Sequence, residues 1–402
     1  MNSVARLIQE LCPDGVVYKA LGSLGRRNHG TQITASRMKE LAEKPGPLRI
    51  FGGGETIADV QVSSIPPKDI ITEPSIIVKS RGHIGFTYYE NPFSHKSELW
   101  SYTILNPTIN QKFVYYYLLT KVNDLQRLAA STSVKLPQLS VKDTDSLNIP
   151  IPPLTIQNRI VDILDSFTSI EKELEKELEK ESSARQRQYA YYRDSLFINE
   201  FKTGSTIPLG RLGTFIRGQG LQKKDFTSIG HSCIHYGQIY TDYDIETTTT
   251  KSFIENSLAT KLRQAQPGDL VIATTSENDN DVCKAVAWMG KENAAISGDA
   301  YIFRHRLNPL YAAFLFSSSI FQKQKLRFIT GTKVRRVSGE SMAKIVVPVP
   351  SLKKQTDIAL ILKKLNSLVK SSTKSLLDEI KARQKQYMYY RDQLLTFEEL
   401  HP

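Results

Sequence analysis

The chain is poor in cysteine. It has three in 402 residues, Cys12, Cys233 and Cys283, and none forms a CxxC pair. That excludes a disulfide framework and a zinc ribbon. No run approaches the roughly 20 apolar residues that a membrane span needs, and the mean hydropathy is −0.31. The opening MNSVARLIQELCPDG has no apolar signal core with a small-residue cleavage site, so the chain reads as cytoplasmic with no membrane partner. Signatures of chemistry are equally scarce. There is no GxxxxGK(S/T) phosphate loop and no dinucleotide fingerprint, because the glycines of Phe51-Gly52-Gly53-Gly54 open no helix and read as a turn. Asn91-Pro92-Phe93 lacks the second proline of an adenine-methyltransferase motif and also reads as a turn. The seven histidines show no metal-ligand spacing, and no Ser/His/Asp or Cys/His set stands out. The expectation is a binding protein with no catalytic, cofactor or metal residues of its own.

What the chain has is positive charge and a repeat. Lys and Arg number 53 against 41 Asp and Glu, a net charge of +12, which favours a polyanionic partner such as nucleic acid. NIPIPPLTIQNRIVDIL (148–164) returns as VVPVPSLKKQTDIALIL (346–362), and RQRQYAYYRDSLF (185–197) returns as RQKQYMYYRDQLL (383–395) with nine of 13 positions identical. Both matches have an offset of 198. Upstream, Tyr102 to Leu105 aligns with Ala300 to Phe303 at that offset, while Leu21-Gly22-Ser23-Leu24-Gly25 matches Leu209-Gly210-Arg211-Leu212-Gly213 at 188. The second copy therefore carries about ten extra residues between these markers.

Each repeated segment opens on alternating prolines, an extended entry, and continues as a helix without Pro or Gly over 156–199 and 354–400. At about 44 residues each helix is roughly 65 Å long. The apolar positions Ile156, Ile160, Ile163, Phe167, Ile170, Leu174 and Leu178 recur at spacings of 3 and 4, a narrow stripe that calls for a second long helix. EKELEKELEKE (171–181) has six Glu and three Lys, a solvated face worth −3, which leaves +15 for the rest. Tyr189, Tyr191 and Tyr192 cannot share one face, so some must pack outside the helix seam. Tyr189, Tyr192, Arg193, Tyr387, Tyr390 and Arg391 are candidates either for covering the neighbouring globular region or for docking a partner protein.

The expected class is α+β: two globular α/β regions and two long antiparallel coiled-coil helices in an internal pseudo-twofold repeat. The boundaries are 1–148 (with a short N-terminal helix), 149–200, 201–346 and 347–402. Each globular region ends in a helical stretch, 111–130 and 310–328, and positive charge clusters at 19–49 (+5) and 323–344 (+6). Loops with groups suited to phosphates or base edges give the candidate nucleic-acid residues. They are Arg26, Arg27, Asn28 and His29 in RRNHG; Lys79, Arg81 and His83 in KSRGHIG; Lys135; Arg217, Gln219, Lys223 and Lys224 in RGQGLQKK; Ser276, Asn278 and Asn280 in ATTSENDND; and Lys333, Arg335 and Arg336.

Together with the entry LCPDGVVYKALGSLG, the repeated segments resemble the specificity subunit of type I restriction–modification enzymes, over essentially the whole chain. The resemblance implies that each globular region is a target recognition domain reading one half of a bipartite, asymmetric double-stranded DNA site. It implies that the helices set the spacing and dock two modification (methyltransferase) subunits, with restriction (translocase and nuclease) subunits able to join. S-adenosylmethionine, ATP and Mg would then sit on those partners. A self-contained enzyme on nucleic acid and a coiled-coil scaffold without a DNA role are the alternatives.

Overall fold

The computed structural model describes residues 2–43, 46–132 and 136–400. Its Cα framework divides into two compact units, residues 1–176 with 378–402, and residues 177–377. Each unit therefore holds one globular region together with a stretch of both long helices, Leu154–Thr203 and Leu352–Leu394. Within the described residues no helix is long and apolar enough to cross a membrane.

The first unit opens with the helix Asn2–Leu11 and a ribbon of β1 (Tyr18–Ala20) against β9 (Asn148–Pro150), antiparallel with Tyr18 opposite Pro150. The alternating prolines are tolerated because the rungs fall between them. Ile151 N–H donates to Val17 O at 2.9 Å, so Pro150 sits where a missing donor breaks no bond. A sheet of order β2-β8-β5-β6 follows, built from β2 (Arg26–His29), β5 (Ser75–Lys79), β6 (Gly85–Tyr89) and β8 (Trp100–Thr103). A smaller sheet of order β4-β3-β7 combines β3 (Leu48–Phe51), β4 (Ile57–Val60) and β7 (Phe93–His95). Gly52 to Gly54 turn from β3 into β4, and Asn91-Pro92 links β6 to β7, both as turns.

The second unit repeats the plan. Its ribbon pairs β10 (Thr206–Pro208) with β22 (Val346–Pro348), and Val349 N–H donates to Ser205 O at 2.8 Å. Its larger sheet has order β11-β20-β16-β18-β13, from β11 (Gly213–Arg217), β13 (Glu246–Thr247), β16 (Leu270–Ala273), β18 (Ala285–Trp288) and β20 (Ala300–His305). A second sheet of order β14-β12-β19-β15 joins β12 (His231–Ile234), β14 (Ser252–Ile254), β15 (Gln264–Ala265) and β19 (Ala294–Ile296). A small ribbon pairs β17 (Thr275–Ser276) with β21 (Arg335–Arg336).

The strand registers correct one sequence alignment. Arg27 faces Tyr102 and Phe215 faces Phe303, so Tyr102 corresponds to Phe303, three residues beyond the offset of 198. The repeat resumes its offset at the next helix, where Asn110 and Asn308 cap equivalent starts. Five of the extra residues in the second copy lie in one hairpin. Val78 pairs with Phe86, eight residues on, whereas Ile272 pairs with Ala285, thirteen on. The glycines at 22 and 210 are a matched pair, since a Cβ would press on Asp145 at 3.0 Å and on Ala343 at 2.9 Å.

The helical stretches expected at 111–130 and 310–328 are each two helices, Gln111–Thr120 with Val122–Thr132, and Pro309–Ser317 with Ser319–Lys325. In the second unit the break has a visible cause. Ser318 is extended (φ −72°, ψ 154°), and Asp194 of the central helix accepts the freed Ser319 N–H at 3.0 Å. The long helices also differ from the expected narrow stripe. Ile156, Ile160, Val161 and Leu164 are buried in one cluster with Ile76, Val78, Tyr102, Phe113 and Leu118, so the helix start is core of the globular region. Phe197, Ile358, Ala359 and Leu362 do the same in the second unit. Farther along, Ile170 is 63% exposed and Leu368 56%. The distal helix stops at Leu394 rather than continuing to 400, because the chain turns to form a bridge between Glu399 and Val16. Within each unit the two helical stretches run antiparallel. Phe167 stacks on Tyr390 (centroids 6.2 Å apart) and Glu175 accepts from Gln384 in the first; Lys354 pairs with Glu200 at 2.7 Å in the second.

One titratable group in the second unit gives a pH test. His305 is half-buried beside Phe303, and its Nδ1 accepts Leu307 N–H at 3.2 Å. Burial pushes its pKa from 6.5 down to about 4, with Asp269 opposing. The unfolded chain therefore takes up this proton first. The second unit holds its full stability from this group above pH 6.5 and loses it as pH falls from 6.5 towards 4. His305→Asn, which keeps an acceptor for Leu307, is expected to flatten this limb of a stability–pH curve from urea melts; a limb unchanged in the variant rules the assignment out.

Candidate nucleic-acid interface

In the first unit, three segments converge on the turn 95–98 that precedes β8. His95 O accepts Thr31 N–H (2.8 Å), Thr31 O accepts Ser97 N–H (2.9 Å), Phe51 O at the end of β3 accepts Lys96 N–H (2.9 Å), and Ser80 Oγ donates to Glu98 O (2.9 Å). The hairpin loop after β5 is held from its other side. Gly82 N–H donates to Pro137 O at 2.8 Å, Arg81 forms a bridge with Gln138, and Gln126 donates to Gly82 O and accepts Ile84 N–H. Gly82 has φ +73°, which a side chain resists. His29, Lys79, Arg81 and His83 gather here, and His29, Arg81 and His83 are exposed. Lys79 pairs with Glu55 at 2.8 Å, which holds the Glu55 carboxyl below its usual range. Lys96, paired with Glu98 at 2.6 Å, joins the group. Sequence reading missed it, since its only signal is a place between two short strands.

The RRNHG segment is not a loop. Arg26–His29 is β2, and Asn28 is buried, donating to Ser101 Oγ (3.1 Å) and Thr103 Oγ1 (2.7 Å). Its amide is committed to the sheet. Arg26 pairs with Glu73 at 3.3 Å and Arg27 with Asp145 at 2.8 Å. Lys135 lies outside the described residues.

The second unit has an equivalent hub, the turn 296–299 before β20. Arg217 Nε donates to Gly298 O (3.1 Å), Gly218 N–H to Ala300 O (2.8 Å), and both Thr274 N–H and its hydroxyl to Asp299 O. Close approach at Gly218 is obligatory, since a Cβ would lie 2.0 Å from Ser297 O. Thr275 and Ser276 pair with Arg336 and Arg335, as Arg81 pairs with Gln138 in the first unit. The hub thus assembles Arg217, Gln219, Ser276, Arg335 and Arg336, with Lys223 and Lys224 exposed on a 3-10 turn and Lys333 on the turn before β21. His235 lies against the same turn, where Tyr236 N–H donates to Ser297 Oγ. Burial, aided by nearby Lys223, pushes its pKa down.

Two candidates there serve the loop itself. Asn278 Oδ1 accepts the N–H groups of Asn280 (3.1 Å) and Asp281 (2.9 Å), while its Nδ2 donates to Asp281. Arg335 pairs with Asp279 at 2.8 Å. Lys325, counted in the sequence within the positive cluster 323–344, is wholly buried. Its ammonium donates to Asn280 O (3.1 Å), Val282 O (2.9 Å) and Gln322 Oε1, and burial lowers its pKa. Lys325→Met keeps the stem but orphans these acceptors, at a cost of roughly 2–3 kcal/mol. The expected signature is faster hydrogen exchange at 278–282 with the circular dichroism spectrum unchanged. Unchanged exchange rules out the anchoring role.

Among the described residues no group of three His, Cys, Asp or Glu side chains could hold a metal ion. The geometry is that of a duplicated chain, with paired loop hubs presented by two related α/β regions. Residues 61–180 and 249–382 match the model of the type I restriction modification DNA specificity domain. The chain belongs to that family. It is 30% identical over 312 residues to the EcoR124I/EcoR124II specificity subunit of Escherichia coli, spanning 71% of this chain and 70% of that one. It is 28% identical over 309 residues to S.HindORF215P of Haemophilus influenzae, named as a type I restriction enzyme specificity subunit, spanning 72% and 73%. A solved chain from work on complex assembly and conformational transition of the type I restriction–modification system superposes with a TM-score of 0.69. It covers 95% of this chain and 98% of that one at 12% identity, a likeness of fold.

Proposed function

We propose that this chain confers DNA sequence specificity on a type I restriction–modification assembly, each globular region binding one half of a bipartite, asymmetric double-stranded site. The supporting observation is the pair of hubs at 95–98 and 296–299. Both precede corresponding strands and gather the same three kinds of segment, yet they offer different groups: Lys79, Arg81 and His83 in one; Arg217, Gln219, Ser276 and Arg336 in the other. Equivalent frames with unlike chemistry suit two readers of two different sequences. The long helices fix the spacing of the half-sites. They also dock two modification subunits, which restriction subunits join. Equivalent apolar clefts support this docking, one lined by Phe167, Ile170, Arg383 and Tyr387 and the other by Leu365, Leu368, Arg185 and Tyr189. Tyr192, Arg193, Tyr390 and Arg391 stand on the same helical stretches. The chain supplies no catalysis; S-adenosylmethionine, ATP and Mg belong to the partner subunits, in the cytoplasm.

The test is a hybrid carrying the first globular region of a relative, expressed with its modification subunits and read by methylome sequencing. One half-site is expected to change and the other to stay. A change in both, or in neither, defeats the modular reading.

A further inference from the structure

The two units differ at one sheet edge. In the second, β13 is a fifth strand, parallel to β18 with Glu246 opposite Ala287 and Thr247 opposite Trp288. The carbonyls of Ile245 and Thr247 accept the N–H groups of Ala287 and Met289, both at 2.8 Å. Flanking carboxylates fasten this segment to the distal helix: Asp244 to Lys370 (2.6 Å) and Asn366 (2.9 Å), and Glu246 to Lys363 (2.5 Å). Ile245 packs against the core between them.

The first unit has the same platform without that strand. Among the described residues its sheet ends at β6. Ile76 faces Tyr88 as Leu270 faces Ala287, so Tyr88 and Glu90 are the counterparts of Ala287 and Met289, with N–H groups on the outer side. The edge GFTYY carries no Pro, Lys or other charge of the kind that usually blunts an edge. Beside it lies a cleft of about 640 Å³ whose walls include Tyr116, Asp165, Thr168 and Lys172. These stand 198 residues before Phe314, Lys363, Asn366 and Lys370, which flank β13 in the second unit.

The charges have changed in an instructive way. Lys172 stands at the position of Lys370 and has no ion pair among the described residues. Asp165 replaces Lys363, and it holds Lys112 at 2.7 Å and the Tyr116 hydroxyl. An incoming strand laid like β13 would thus set its first charged position against Lys172 and its third against Asp165. We propose that the β6 edge docks an extended segment of a partner protein as a parallel fifth strand, with an acidic, an aliphatic and a basic residue in sequence. A second copy of this chain is a poor occupant, because its own Asp244-Ile245-Glu246 is already laid against β18 and ends in the wrong charge. This docking is independent of the DNA-reading proposal.

The probe is a fluorescein-labelled peptide copying residues 241–250 with Glu246→Lys, titrated onto the full chain by anisotropy. It is expected to bind about fivefold more tightly than the unaltered copy, as a solvent-exposed ion pair between strand and helix contributes up to about 1 kcal/mol. Lys172→Glu, an exposed helical position, should weaken it about fivefold, and a peptide with Asp244→Lys as well should recover that loss on the variant. Hydrogen exchange should slow at Tyr88 and Glu90. No binding, equal binding of the two peptides, indifference to charge reversal, or protection elsewhere overturns the proposal, as does protection of these amides by self-association alone. DNA affinity measured on the same samples separates this outcome from a failure of the DNA reading.

Discussion

Neutralising Arg217, Lys223, Lys224, Lys333 and Arg336 together is expected to lower the affinity for duplex DNA by about a thousandfold at 0.15 M salt. Arg217, Lys223, Lys224, Lys333 and Arg336 are exposed, and no ion pair holds them among the described residues. Each phosphate contact contributes about 0.9 to the slope of log affinity against log salt, which amounts to roughly fivefold per contact at this salt. Five losses therefore multiply to the thousandfold range, and the slope should fall by about four to five. Arg335 and Lys325 are excluded on purpose. The first already pairs with Asp279 and the second is buried, so their removal would disturb the loop as well as the charge. The measurement is a salt titration of anisotropy on wild type and the fivefold alanine variant, with circular dichroism to confirm the fold. An unchanged slope with affinity within threefold would place the DNA surface elsewhere.

The contrast between Lys325 and its neighbours shows where sequence reading stops. A count of charge over 323–344 cannot separate an ammonium that meets phosphate from one that pins a loop, because that depends on a fold closing over residue 325. Asn28 and Asn278 mislead for a related reason, since each reads as a loop amide suited to a base edge. One became a rung of polar contacts inside a sheet, the other a local turn. What was legible came from repetition. The proline entries, the glycines at 22 and 210 and the tyrosine-rich helix ends recur because both units solve the same packing problem, and a pattern present twice survives divergence around it. The three-residue error at β8 and β20 arose where the repeat is weakest, and strand register rather than similarity resolved it. The edge at β6 left no trace in the sequence, since a missing strand has no residues to read.

The repeated glutamines carry the second large expectation. Gln157 and Gln355 are buried at the first turns of the two long helices. Gln157 accepts Asn110 N–H at 2.8 Å and donates to Pro152 O at 2.7 Å, and Gln355 accepts Asn308 N–H at 2.8 Å and donates to Pro350 O at 2.8 Å. One amide thus satisfies the proline-rich entry, which cannot bond itself, and the N-terminal cap of the globular region's helix. Leucine fills the volume but leaves a buried N–H and a buried C=O unpaired, at about 1–3 kcal/mol each. Gln157→Leu and Gln355→Leu are therefore each expected to cost roughly 3–5 kcal/mol. For a unit of about 200 residues that lowers the melting temperature by about 10 °C. Glutamate keeps the acceptor, loses the donor and buries a charge, so it should be worse than leucine. The effect is local to one unit in each case. Hydrogen exchange should rise at residues 108–111 in the first variant and 306–309 in the second. A Gln355→Leu chain that melts as the wild type does, with exchange at 306–309 unchanged, would show that the helix entry is held by its apolar neighbours Ile358 and Leu362 alone.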